Sequence, residues 1–363
     1  MNIDNLPKPI PSSGIEAYEL GLKDALSYSS IRLENYQRYI ASKRRSSEVD
    51  YLPIKLDIEN ASRCNFACTM CVVSQWEKGK RADDMTFLEF KELIDSQPGL
   101  VEIKLNGLGE ALMQGDEYFQ MISYAREKKK WVRMTTNASL LHLKNNHIKL
   151  ISSGVNEIDI SVDGINKTMF EGIRVQSDFD RVLSNCKLLN DYTDSIGIVR
   201  TKMWTLVQQD NYKYLDKFVE LARDLNFKHL VFSLNLHGWG NDELAIRNKS
   251  VTVENVIEYE YLESLIQIGE KNNVRVSFWS VADKFDSKKM ENLCPWPFER
   301  AVVTSDLRTV PCCMIGDPDA FEIGRGSGKN FTELWNGPEY VAFREAHLKG
   351  EIPEICKSCY KSI

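Results

Sequence analysis

Cys64-Asn65-Phe66-Ala67-Cys68-Thr69-Met70-Cys71 gathers three thiols into one short stretch. It follows Ile54, Leu56 and Ile58, an alternation that predicts a strand with one buried face. Three thiolates do not complete the tetrahedral cage of a structural zinc ion, and no histidine occurs between Cys71 and His142. The same set suits a cubane iron-sulfur cluster in which one iron keeps an open position for a ligand. The nine cysteines, at 64, 68, 71, 186, 294, 312, 313, 356 and 359, are an odd number in short spacings. Met1 to Pro11 hold no apolar run of signal-peptide length, so reduced, metal-binding thiols in the cytoplasm are expected rather than a disulfide framework.

Outward from this stretch, strand and helix patterns alternate. Thr86 with Glu89 forms a capping-box signal for a helix reaching about Asp95. Further strands are expected at 101–105, 131–135, 157–162, 196–203, 229–236 and 274–278. Helices at 116–130, 144–152, 179–189, 212–225 and 253–271 separate them. Such alternation implies an α/β fold with parallel strands and right-handed crossovers, six strand-helix units forming a curved sheet or partial barrel. In that architecture ligands bind at the carboxyl ends of the strands, the edge at which the cysteine stretch leaves the first one.

Residues 1–50 read as a Pro-containing loop and one helical run over 15–42, ending in Lys43-Arg44-Arg45. Those cations, like Lys128-Lys129-Lys130, suit the solvated end of a helix. Residues 281–363 are rich in turns and hold five cysteines, a segment whose core is too slight to fold without a metal staple. The chain therefore divides into a helical extension (1–50), a strand-helix core (51–280) and a cysteine-rich module (281–363). Its 43% hydrophobic and 27% charged content excludes disordered and fibrous classes. A net charge of −6, with no run near the roughly 20 apolar residues of a spanning helix, gives no reason to expect nucleic acid or membrane as partner.

Several strand ends carry polar groups. Asn106-Gly107-Leu108-Gly109-Glu110 follows the second strand, where glycines allow close backbone approach and the carboxylate can accept from an ammonium group. Thr136-Asn137 follows the third strand; Ser161, Asp163 and Gly164 close the fourth, with Arg174 beyond. Taken alone, these residues equally suit the capping of loops. In the tail, Cys294, Cys312-Cys313 and Cys356-x2-Cys359 offer thiolates for a second complete cluster or for zinc. Cys186, Tyr259 and Tyr261 sit in helical patterns as packing residues, and His237-Gly238-Trp239-Gly240 lies near the ligand edge.

The cysteine spacing, its place after the first strand and these strand-end motifs resemble the radical S-adenosylmethionine (radical SAM) superfamily over residues 51–280. The resemblance implies a partial (βα)6 barrel and a 4Fe-4S cluster on Cys64, Cys68 and Cys71. S-adenosylmethionine would bind that cluster and be cleaved reductively to a 5′-deoxyadenosyl radical that abstracts hydrogen from the substrate. It further implies cofactor contacts from Gly107, Gly109 and Glu110 to the methionyl amine, and from Thr136 and Asn137 to the ribose. Ser161, Asp163 and Arg174 would serve the ribose and methionyl carboxylate. Met70 stands where the family usually has an aromatic residue, beside the adenine.

The tail, through Val310-Pro311-Cys312-Cys313, Leu334-Trp335-Asn336-Gly337 and Phe343-Arg344, is similar to the SPASM extension, in its shortened single-cluster twitch form. This implies an auxiliary 4Fe-4S cluster on Cys294, Cys312, Cys356 and Cys359, which with no open iron would act through electrons. Cys313 is left over, either a small packing residue or a hydrogen-atom donor. The implied activity is a radical SAM oxidoreductase dehydrogenating a small sugar-like or secondary-metabolite substrate. The alternatives are a peptide-modifying maturase, an epimerase, or, in another class, an iron-sulfur electron carrier or zinc-stapled binding protein. The partners implied are that small-molecule or peptide substrate and an external one-electron reductant such as flavodoxin or ferredoxin. About 50 N-terminal residues are too few for the leader-binding domain that peptide-modifying relatives often carry, which favours the small molecule.

Overall fold

The fold is that of a computed structural model, which describes residues 6–253, 256–279, 285–326 and 330–361. The expected first helix is two, α1 (Ile15–Leu26) and α2 (Ser30–Ser42). Ser29 breaks the run by adopting an extended backbone and capping α2, its hydroxyl accepting from Arg32 N–H at 3.2 Å.

The core then alternates. It runs β1 (Lys55–Ile58), β2 (Ala67–Cys68), α3 (Phe87–Ser96), β3 (Glu102–Leu105), α4 (Asp116–Glu127) and β4 (Trp131–Thr136). Next come α5 (Asn146–Ser152), β5 (Glu157–Ser161), α6 (Lys167–Ile173), β6 (Arg174–Val175) and α7 (Phe179–Ser195). The chain continues through β7 (Thr201–Leu206), α8 (Leu215–Asp224), β8 (His229–Ser233), α9 (Asp242–Val251), α10 (Tyr259–Lys271) and β9 (Arg275–Trp279). The tail contributes α11 (Trp296–Glu299), β10 (Arg300–Val303), β11 (Arg308–Val310), β12 (Gly324–Arg325), α12 (Phe331–Trp335) and α13 (Pro338–Lys349).

The main sheet has the order β12-β11-β10-β1-β3-β4-β5-β7-β8-β9, parallel from β10 to β9. From β1 to β9 each new strand joins the same side of the last, so right-handed crossovers put the connecting helices on one face. That one-sided cover curls the sheet into a partial barrel. Its outer face carries Leu56, Ile58, Ile103, Leu105, Met134, Ile160 and Met203, all buried in one core with Phe90, Ile122, Val182 and Phe218 of the helices. Its inner face is charged. Glu102 lies within 3.3 Å of Lys55, 3.5 Å of Arg133 and 3.8 Å of Arg300, while Lys202 pairs with Glu157 and Asp159.

The barrel's amino end is closed by the N-terminal segment. Tyr18 Oη donates to Glu102 at 2.7 Å, Lys202 Nζ to Ile10 O at 3.3 Å, and Gly21 sits against the Trp131 ring. Residue 7 covers the free edge of β9, where Phe278 N–H donates to Pro7 O at 2.8 Å. The tail covers the other side: β10 pairs with β1, Trp335 Nε1 donates to Tyr51 O at 2.9 Å, and buried Arg344 donates to Pro297 O, Trp335 O and Ser47 O.

Three expectations shift. The strand expected at 196–203 is β7, because α7 continues its buried stripe through Asn190 and Thr193 and ends only at Gly197, whose φ of 71° a side chain disfavours. The helix expected at 253–271 begins at Tyr259; residues 254 and 255 lie outside the described residues. Lys130 is not solvated: it is 1% exposed, its Nζ donates to Leu100 O at 3.1 Å, and burial pushes the ammonium pKa well below its ordinary value. Among the described residues no helix is long and apolar enough to cross a membrane.

Candidate metal and cofactor site

The cysteine stretch leaves β1 at its carboxyl end and is held by a two-stranded ladder that pairs Cys68 with Arg174. Thr69 N–H donates to Ile173 O at 2.9 Å and Cys71 N–H to Cys68 O at 3.1 Å. Donors surround the sulfurs: Phe66 N–H lies 3.5 Å from Cys64 Sγ, Asn137 Nδ2 3.9 Å from the same atom, and Arg174 Nη1 3.9 Å from Cys68 Sγ. Cys64, Cys68 and Cys71 form no disulfide. Burial first, then nearby charges, pushes Cys64 and Cys71 up to about 12, so these thiols hold their protons until a metal displaces them. Three soft donors ringed by N–H groups fit an iron-sulfur cluster. Among the described residues no three His, Cys, Asp or Glu side chains close as a single-ion cage.

The neighbouring strand ends converge on this loop. Glu110 is buried and accepts from Thr136 Oγ1 at 2.6 Å, Asn137 N–H at 2.8 Å and Leu112 N–H at 3.3 Å; burial raises its pKa. Asn137 Nδ2 in turn donates to Asn65 Oδ1 at 3.1 Å, tying the end of β4 to the cysteine stretch. Asp163 pairs with Arg174 at 2.7 Å, both buried, and accepts from Leu206 N–H at 2.7 Å. Ser161 ends β5, half-buried, on the inner face beside Trp204 in register. Met70 is 7% exposed, and its carbonyl accepts from Asn248 Nδ2 at 3.1 Å. Gly107 and Gly109 are required by the chain itself: a Cβ on Gly107 would overlap the Glu59 side chain, and one on Gly109 would overlap Ala61 O and the Arg63 backbone.

In the tail, distant cysteines come together. The Cys312 thiol is pushed well up by burial, with further contributions from Cys313, Cys356 and Cys294. Cys356 is pushed up to about 12 by burial and then by Cys359, while Cys294 N–H donates to Tyr360 Oη at 3.0 Å. Cys186 is buried in α7, its thiol shifted by burial and no other cysteine. Tyr261 packs, its hydroxyl accepting from Leu215 N–H at 3.0 Å. Burial alone holds the His237 imidazole down to about 4, and its carbonyl accepts from Asn248 Nδ2 at 2.6 Å.

Two linking residues escaped sequence reasoning. Glu59, the next position after Asp57 in the inner-face alternation, accepts from Arg81 Nη2 at 2.7 Å, Ser305 N–H at 3.1 Å and Leu108 N–H at 3.3 Å. Arg81 also pairs with Asp306 at 2.9 Å, which joins the cysteine loop to the tail. The alternation Lys55, Asp57, Glu59 was the available signal. Asn248, on a helix without a strong apolar stripe, had none.

A family model for the Radical SAM superfamily matches residues 60–222, and one for SPASM, an iron-sulfur cluster-binding domain, matches residues 294–360. The chain carries a radical SAM domain followed by a SPASM domain. With its SPASM domain, this radical SAM chain takes two 4Fe-4S clusters and S-adenosylmethionine as cofactors. It is 29% identical over 210 residues to a probable GTP 3′,8-cyclase of Saccharolobus islandicus, covering 56% of this chain and 62% of that protein. It is 26% identical over 191 residues to the mycofactocin maturase MftC of Mycolicibacterium smegmatis, covering 52% and 47%. The chain thus spans less than two thirds of the length of these curated relatives. Its fold is similar to Streptococcus suis SuiB bound to S-adenosylmethionine (TM-score 0.62, 15% identity, 91% of this chain and 78% of that one). It is also similar to anSMEcpe with bound AdoMet (TM-score 0.60, 18% identity, 86% and 92%).

Proposed function

We propose that this chain is a radical SAM oxidoreductase in which Cys64, Cys68 and Cys71 hold the cofactor-binding cluster. The carrying observation is the convergence of Glu110, Thr136, Asn137, Asp163 and Arg174, from four strand ends, on a loop of three free thiols. When bound, the cluster supplies the electron that splits the sulfonium bond of S-adenosylmethionine, giving a 5′-deoxyadenosyl radical that takes a hydrogen atom from the substrate. Glu110, fixed by its three donors, accepts the methionyl ammonium. Arg174 Nε is buried without a hydrogen-bond partner, which the methionyl carboxylate would satisfy. Thr136, Asn137, Ser161 and Asp163 hold the ribose side, and Met70 lies against the adenine. Gly107 and Gly109 serve by letting the Glu110 loop and the cysteine stretch pack as one body.

Cys294, Cys312, Cys356 and Cys359 complete the coordination of the auxiliary cluster, a donor set suited to electron transfer rather than to substrate binding. The reaction is then dehydrogenation of a small sugar-like or secondary-metabolite substrate, with a flavodoxin- or ferredoxin-like reductant feeding the first cluster. In support, α1, Pro7 and Ile10 are engaged in closing the barrel. A second reading, peptide maturation, is favoured by the likeness to MftC. Cys313, beside Cys312, would in an epimerase return a hydrogen atom.

Anaerobic reconstitution should give about eight irons per chain, two cubanes; zinc in the tail would sink the electron relay. The reduced protein with S-adenosylmethionine should release 5′-deoxyadenosine. No release from a protein with both clusters intact would leave only the electron-carrier reading. Cys313→Ala should leave that release in place, and would abolish product only in the epimerase case.

A further inference from the structure

We propose that Lys104 anchors an anionic oxygen group of the substrate, a carboxylate or phosphate, inside the barrel. The inference rests on the function proposed above and deepens it. Side chains alternate along a strand, so Lys104 shares the inner face with Glu102 below it and Asn106 above it on β3. In register it stands between Asp57 of β1 and Arg133 of β4.

The other inner-face charges of β1, β3, β4, β5, β7 and β10 are engaged. Arg300 lies 3.5 Å from Asp57, Arg133 and Lys55 pair with Glu102, and Lys202 pairs with Glu157 and with Asp159 at 3.4 Å. Among the described inner-face residues of those six strands, Lys104 is the one ionised side chain to which no ion pair or hydrogen bond attaches. It is half-buried on a face whose neighbouring charges pair with one another, and a bound anion would supply the partner it lacks. It also stands where a substrate must reach. Asn106, next along the face, accepts from Thr135 N–H at 2.9 Å, and the Glu110 loop begins directly above.

Farther round the same face, Trp204 of β7 and Trp279 of β9 are half-buried, with ring centroids 6.4 Å apart. A point cation on one side and two indoles on the other select an organic anion with an apolar or planar body. A neutral, all-polar substrate would leave both features unused.

The test titrates phenylacetate, phenyl phosphate and neutral phenylacetamide into the cluster-loaded protein preloaded with S-adenosylmethionine, followed by calorimetry. One of the anions should bind at least about tenfold tighter than the amide, about 1.4 kcal/mol, and which one does so identifies the source of the charge. Lys104→Met and Lys104→Gln should each erase the preference while keeping their iron, and Lys104→Arg should keep it; two replacements guard against one failing to fold. Equal binding of anions and amide, or a preference that survives both neutral replacements, overturns the proposal. So does a preference seen only before preloading, because Lys104 would then serve the cofactor's carboxylate. Wild-type release of 5′-deoxyadenosine, measured separately, judges the proposed function independently of these titrations.

Discussion

Gly109 brings the Glu110 loop into backbone contact with residues 61–63, and its missing methyl group sets the distance between the two halves of the cofactor site. Gly109→Ala should therefore push the cysteine stretch away and lower the iron retained after anaerobic reconstitution. Gly172→Ala in α6, where nothing lies within 4 Å, should keep its iron and gain up to about 1 kcal/mol in unfolding free energy, read by denaturant melting. Arg174→Met would leave Asp163 charged and buried beside Cys68, at a cost of about 3–5 kcal/mol in unfolding free energy. Asp163→Leu added to it should recover part of that loss, because the uncompensated charge is then gone. The glycine motif was visible in the sequence, but its reason was not: spacing alone cannot say whether a glycine yields to a ligand or to the chain's own backbone.

The six strand-helix units were legible because their apolar positions repeat with the period of a half-buried strand or an amphipathic helix. β2 and β6 were not, since two-residue strands have no period, and yet they hold Cys68 against Arg174. α9 was missed for a related reason: it exposes Ile246 and buries Asn248, reversing the usual pattern. The break between α1 and α2 turns on one hydroxyl, and Ser29→Ala should cost about 1 kcal/mol, read by thermal or denaturant melting. His229 opens β8 at the barrel's closed end. Burial, then Lys202 and Arg275, holds its imidazole down to about 4. A base depressed in the fold contributes stability that is complete above its unfolded value, about 6.5, and is lost as pH falls towards 4. The denaturation midpoint of the protein should drop across that window, and His229→Gln should flatten the drop.

For the whole molecule, the charged inner face and the tail were the least legible parts. Lys55, Glu102, Arg133, Lys202 and Arg300 lie far apart in sequence, and only the strand register assembles them into one ladder. Likewise the tail cysteines announced a metal site without announcing that β10 would extend the core sheet. A chain stopped after residue 279 should therefore expose the edge of β1 and aggregate, measured as loss of monomer on size exclusion. The same pairing governs the order of events on the ribosome. Lys55 waits for Arg300, roughly 245 residues behind it, and at about 5–20 residues per second that wait lasts on the order of tens of seconds. Throughout it the nascent chain carries an open strand edge beside bare thiols, the state in which it is most open to aggregation and oxidation.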